Sequence, residues 1–80
     1  MVARYFDAER AFERIWQDAD TDGLWQGDAA TLAQDFGVSE DAAYSVIREL
    51  CDRRLIELVG ERCYAIVNWR EREELAGGAL

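Results

Sequence analysis

The stretch DAATLAQDFGVSEDAAYSVIRELCDRRL, residues 28–55, constrains this chain more than any other, because it carries two helix signals with room between them only for a tight turn. Ala29, Leu32, Ala33 and Phe36 recur at three- and four-residue steps, which places them on one face of a helix, and Asp28 stands where a side chain can cap its first turn. Gly37 follows where a helix ends in left-handed geometry. Ser39 is then an N-cap for a second helix, with Val38 just outside it and Ala43 at its fourth position as a small hydrophobic staple. The buried face of that second helix is expected to be Ala43, Val46, Ile47 and Leu50. Short helices in water depend on tertiary packing, so two amphipathic helices joined this closely must bury their apolar faces in a common core.

The flanking segments supply the rest of that core. Ala8, Ala11, Phe12, Ile15, Trp16 and Ala19 predict an amphipathic helix over 7–19, with Glu9, Arg10, Glu13 and Arg14 on its polar face. Leu24 and Trp25 read as a short strand, with Trp25 in the core. Downstream, LIELVGERCYAIV reads as a hairpin around Gly60. A two-residue turn would align Ile56, Leu58, Cys63 and Ala65 on one face, and a three-residue loop would align Ile56, Leu58, Tyr64 and Ile66. The second set buries more apolar surface and is the register expected. NWREREEL, anchored by Trp69, predicts a short helix over 68–75, and the AGGAL end is expected to fray.

The run LAQDFGVSEDAAYSVIRELCDRRLIELVGERCYAI resembles the winged helix-turn-helix domains of bacterial and archaeal transcription regulators. Leu32, Ala33, Gly37, Val38, Ser39, Ala43, Leu50, Leu55 and Ile56 fall where that pattern has them, and the likeness covers roughly residues 23–67. It implies a mainly α fold with a small antiparallel β wing, three helices plus a hairpin, in one domain over 1–80. The parts would be helices 7–19 and 28–36, a recognition-type helix 40–54, a wing 55–67 and a tail 68–80. By the resemblance, Ser39, Asp41, Ala42, Tyr44, Ser45 and Arg48 would face a DNA groove, with Arg62 on the wing. Arg48 would read guanine, and Arg53 or Arg54 would hold phosphate. The first function this implies is a DNA-binding domain of the transcription-regulator type, working as a homodimer. Because winged helices also serve as protein-binding modules, an acidic protein-interaction domain is the alternative.

Charge bears on that choice. The formal net charge is −8, the nine basic residues are all arginine, and there is no histidine. Affinity for nucleic acid comes largely from cations that displace phosphate counterions, so this is the wrong sign for a DNA binder. The imbalance is concentrated in residues 1–36, where three arginines meet eight acids, whereas residues 37–69 set four arginines against six. Glu40 and Asp41 depart from the family pattern, since acids at the start of a recognition helix would meet phosphates. Small acidic phage inhibitors of restriction and CRISPR systems, which present carboxylates to basic nucleic-acid machines as DNA mimics, resemble this chain in size and charge. An acidic, lysine-free composition also fits a salt-adapted or high-GC source, in which the acidity would be background.

Eighty residues predict a single small domain, near the size at which a partner subunit often completes the core, so Tyr5, Phe6 and one face of Trp16 are candidates for a dimer contact. No apolar run approaches the length of a membrane span, and the N-terminus lacks the apolar stretch of a signal peptide, so a cytoplasmic location is expected and no membrane partner. One motif carries metal chemistry. Asp18, Asp20, Asp22 and Gly23 match the opening of an EF-hand calcium loop. The bidentate glutamate required at its twelfth position is Ala29, so a solvated turn is expected, and a calcium-binding domain is the third reading. Cys51 and Cys63 have no zinc spacing and read as free thiols. With no histidine and no phosphate-cradling glycine loop, neither enzyme activity nor a cofactor is expected.

Overall fold

The structure, a computed structural model, describes residues 6–77. The proposed contact of Tyr5 and the fraying of residues 78–80 lie outside the described residues. In chain order the elements are α1 (Ala8–Asp18), β1 (Leu24–Gln26), α2 (Ala29–Phe36), α3 (Glu40–Asp52), β2 (Ile56–Gly60), β3 (Cys63–Ile66) and α4 (Trp69–Gly77). The molecule is mainly helical with a three-stranded antiparallel sheet in the order β1-β3-β2. The described residues thus hold four helices where three were expected in the fold class, because the tail folds as α4, which takes in Ala76 and Gly77 of the end expected to fray. The order of elements and the hairpin after α3 are compatible with a winged-helix layout.

Local chemistry sets the helix ends. Asp7 caps α1 by accepting the Arg10 N–H at 2.9 Å. Asp28 and Thr31 cap α2 reciprocally: the Asp28 carboxylate accepts the Thr31 N–H at 3.1 Å, and the Thr31 hydroxyl accepts the Asp28 N–H at 3.2 Å. Gly37 closes α2 in left-handed geometry at φ 66°, and Val38 N–H reaches back to Ala33 O. Ser39 Oγ accepts the Ala42 N–H at 3.1 Å to open α3.

The core is one cluster in which Ile15 of α1, Leu32 of α2, Leu50 of α3 and Ile56 of β2 are fully buried, with Ala43, Ile47, Trp25 and Ile66 around them. Val46 is only partly buried, at the edge of this cluster. Trp25 supplies the floor of the sheet, its ring 5.7 Å from that of Tyr64, its partner across β1 and β3.

Phe6 and Trp16, two of the three aromatics expected at a dimer contact, have ring contacts inside the chain. Phe6 packs on Phe36 at 4.9 Å, and Trp16 lies against Trp69 at 4.5 Å and Phe12 at 6.3 Å. Trp69 anchors α4, as its position suggested: its indole N–H donates to Thr21 O at 3.1 Å, and its ring lies over Gly23. A Cβ on Gly23 would come within 2.3 Å of that ring, and the residue sits at φ 76°, so glycine is required twice over.

Candidate interaction face

Because Ala43, Ile47 and Leu50 hold one side of α3 in the core, its other side is presented to solvent, and there Ser39, Asp41, Ala42, Tyr44, Ser45 and Arg48 are all exposed. Helical spacing sets Glu40, Asp41, Tyr44, Arg48 and Asp52 along one flank, every one of them exposed. The helix ends in a Schellman motif: Leu55 N–H bonds Leu50 O at 2.9 Å and Arg54 N–H bonds Cys51 O at 3.0 Å. Arg54 occupies the left-handed position at φ 60°, where glycine is the usual residue.

The four arginines expected to meet DNA therefore have different surroundings. Arg53 turns back along α3 and pairs with Glu49 at 2.7 Å. Arg62, at φ 55° in the hairpin turn, reaches across to Asp28 at 3.1 Å and so ties the wing to the start of α2. Arg48 and Arg54 are exposed and make no ion pair with another described residue. The Thr31 amide, its strongest influence, together with the Thr31 hydroxyl and Arg62, holds the Asp28 carboxyl below the usual carboxylate range against the opposing effect of partial burial.

The hairpin pairs Ile56 with Ile66 and Leu58 with Tyr64, the register expected from apolar area, and a register shift between Leu58 and Gly60 accommodates the turn. Ile56 and Ile66 are buried, and Tyr64 is only partly so, as are Cys63 and Ala65. Leu58 departs from expectation: it shares a side of the sheet with the buried Ile56 but is 62% exposed. Tyr44 at 56% and Val59 at 52% are the other large apolar side chains exposed among the described residues. Burial, and after it Cys51, Asp28 and Tyr44, push the Tyr64 hydroxyl above its ordinary pKa.

Of the three candidate calcium ligands, Asp18 and Asp20 have different partners. Asp18 pairs with Arg14 at 2.9 Å, one turn back on α1. Asp20 Oδ1 accepts the N–H groups of Asp22 and Leu24 at 2.9 and 3.0 Å, which makes it the organiser of its own turn. Asp22 is exposed. Among the described residues no group of three or more histidine, cysteine, aspartate or glutamate side chains is placed to hold a metal ion. Cys51 and Cys63 are free and partly buried, and burial raises the Cys51 thiol. No described helix is long and apolar enough to cross a membrane.

Sequence reasoning missed the exposure of Leu58. Alternation assigned Leu58 to the core, because it fixes a side of the strand without saying what covers that side. Comparison of the chain with protein-family models, curated proteins and solved structures finds no match, so the function has to be read from its own residues.

Proposed function

We propose that this chain is a non-enzymatic winged-helix module that binds a protein with a basic surface in the cytoplasm. The observation that carries this reading is the composition of the outward flank of α3. Glu40, Asp41 and Asp52 stand there against Arg48 alone, while Arg53 and Arg62 are paired within the chain. DNA would meet three carboxylates for one cation, whereas a basic protein surface would find complementary charge and, beside it, the apolar side chains of Tyr44 and Leu58. The absence of histidine and the divergent partners of Asp18 and Asp20 support a module without catalysis or a calcium site.

DNA binding by a regulator-type domain stays as the second reading, because Arg48 and Arg54 are exposed and without ion-pair partners among the described residues. Charge reversal separates the two. The double variant Glu40→Lys with Asp41→Lys is expected to bind duplex DNA at least about tenfold more tightly than the natural chain, since every lysine that reaches a phosphate releases a condensed counterion. Equal affinities would mean that these acids do not face the phosphates, and would remove the ground for preferring a protein partner.

A further inference from the structure

The aspartate turn, the shallow groove between Phe6 and Val46, and the surface where the wing meets α3 are the candidates for a more specific site among the described residues. The aspartate turn is occupied by its own hydrogen bonds, and nothing on the groove indicates an occupant. The patch differs, because two elements in contact, α3 and β2, each expose a large apolar side chain, and α3 exposes carboxylates as well. Tyr64 lies on Trp25 and opposite Leu58 across the hairpin, α3 packs on β2, and Tyr44 of α3 is exposed. Glu40, Asp41 and Asp52 share the flank of α3 that carries Tyr44, and Glu61 is exposed at the hairpin turn.

We propose that this patch docks one cationic amphipathic segment of a partner protein, with an apolar side chain seated on Tyr44, Leu58 and Tyr64 and lysine or arginine side chains reaching Glu40, Asp41 and Asp52. The inference rests on the protein-partner reading and gives it a site and a ligand chemistry. Charge selects the occupant: a second copy of the chain would bring another net charge of −8 to the same place, and mutual repulsion opposes that pairing. An uncharged apolar segment would leave the carboxylates unused, and a purely cationic one would leave Leu58 in water. A segment carrying both satisfies the patch, with the apolar anchor giving affinity and the charges giving encounter rate and selectivity.

The test is amide NMR of the full chain titrated with three synthetic helical peptides, a Lys/Leu amphipathic peptide, an all-Lys peptide and a Glu/Leu peptide, and separately with duplex DNA. The Lys/Leu peptide should perturb the amides of Tyr44, Leu58 and Tyr64 first, the Glu/Leu peptide should not bind, and the all-Lys peptide should bind more weakly. Leu58→Ser should weaken Lys/Leu binding by about tenfold, the effect of losing roughly one buried aliphatic side chain. Perturbations centred on α1 and the aspartate turn, unchanged affinity in Leu58→Ser, equal binding of the all-Lys peptide, or no binding of the Lys/Leu peptide would each overturn this site while leaving a protein-binding module in place. Saturable DNA binding that displaces the peptide from the same amides would instead reject the protein-partner reading itself. Mapping on the unmodified chain locates the site independently of any variant's folding.

Discussion

Asp28 caps α2, accepts the Thr31 hydroxyl at 3.2 Å and pairs with Arg62 of the hairpin, so one carboxylate joins a helix start to the wing. Its carboxyl is held below the ordinary range by the Thr31 amide above all. A carboxylate whose pKa is lower in the folded state stabilises the fold above its unfolded pKa, near about 3.9, and loses that contribution as pH falls through the lower folded value. Asp28→Ala is therefore expected to cost about 1 kcal/mol at neutral pH, and urea melts should show the difference from the natural chain narrowing as pH falls below the ordinary carboxylate range. A gap undiminished at low pH would contradict the charged-cap reading. Arg54 supplies a second check. Its left-handed φ of 60° is unfavourable for any residue with a Cβ, so Arg54→Gly should stabilise the fold by about 0.5–1 kcal/mol, a rise of roughly 2–6 °C in Tm; a lower Tm would mean that the Arg54 side chain contributes contacts of its own. Cap chemistry is local, which is why Asp28, Gly37 and Ser39 were legible in the sequence. Thr31's reciprocal bond and the left-handed Arg54 and Arg62 were not, because nothing in an arginine signals the backbone geometry that its neighbours impose.

Among the elements, the hairpin shows how far a pattern carries. Apolar alternation selected the pairing of Ile56 with Ile66 and Leu58 with Tyr64, since that register buries the larger side chains, but alternation assigns a side and says nothing about cover. Two substitutions on the same side of the same hairpin should therefore differ sharply. Ile66→Ala is expected to destabilise by about 2–4 kcal/mol, and Leu58→Ala by about 0.5 kcal/mol or less, in denaturant unfolding. Comparable losses would show that Leu58 is covered in solution. The aspartate turn is the converse case, in which a motif was legible and its surroundings were not. Asp18 is drawn to Arg14, Asp20 to loop amides, and Trp69 closes over Gly23, a long-range contact that no local reading supplies. Calorimetric titration with calcium should give a dissociation constant no tighter than roughly 10⁻⁵ M; a tighter value would place the turn among sensor sites.

For the whole molecule, the helix-and-sheet composition followed from periodicity, and the fourth helix followed from Trp69, whose indole finds Trp16 and Thr21 far away in sequence. Which partner the molecule serves was less legible, because net charge does not say where charges lie. The fold sets three carboxylates and Arg48 on the outward flank of α3 and pairs Arg53 and Arg62 with acids of the chain, and the proposed basic protein partner rests on that arrangement. Fluorescence anisotropy of a labelled random duplex with the unmodified chain, at about 0.15 M salt, tests that preference most directly. Binding weaker than the usual non-specific range of roughly 10⁻⁴ to 10⁻⁶ M is expected. Micromolar binding with a steep salt dependence would contradict a protein-docking face and return the chain to the DNA-binding regulators.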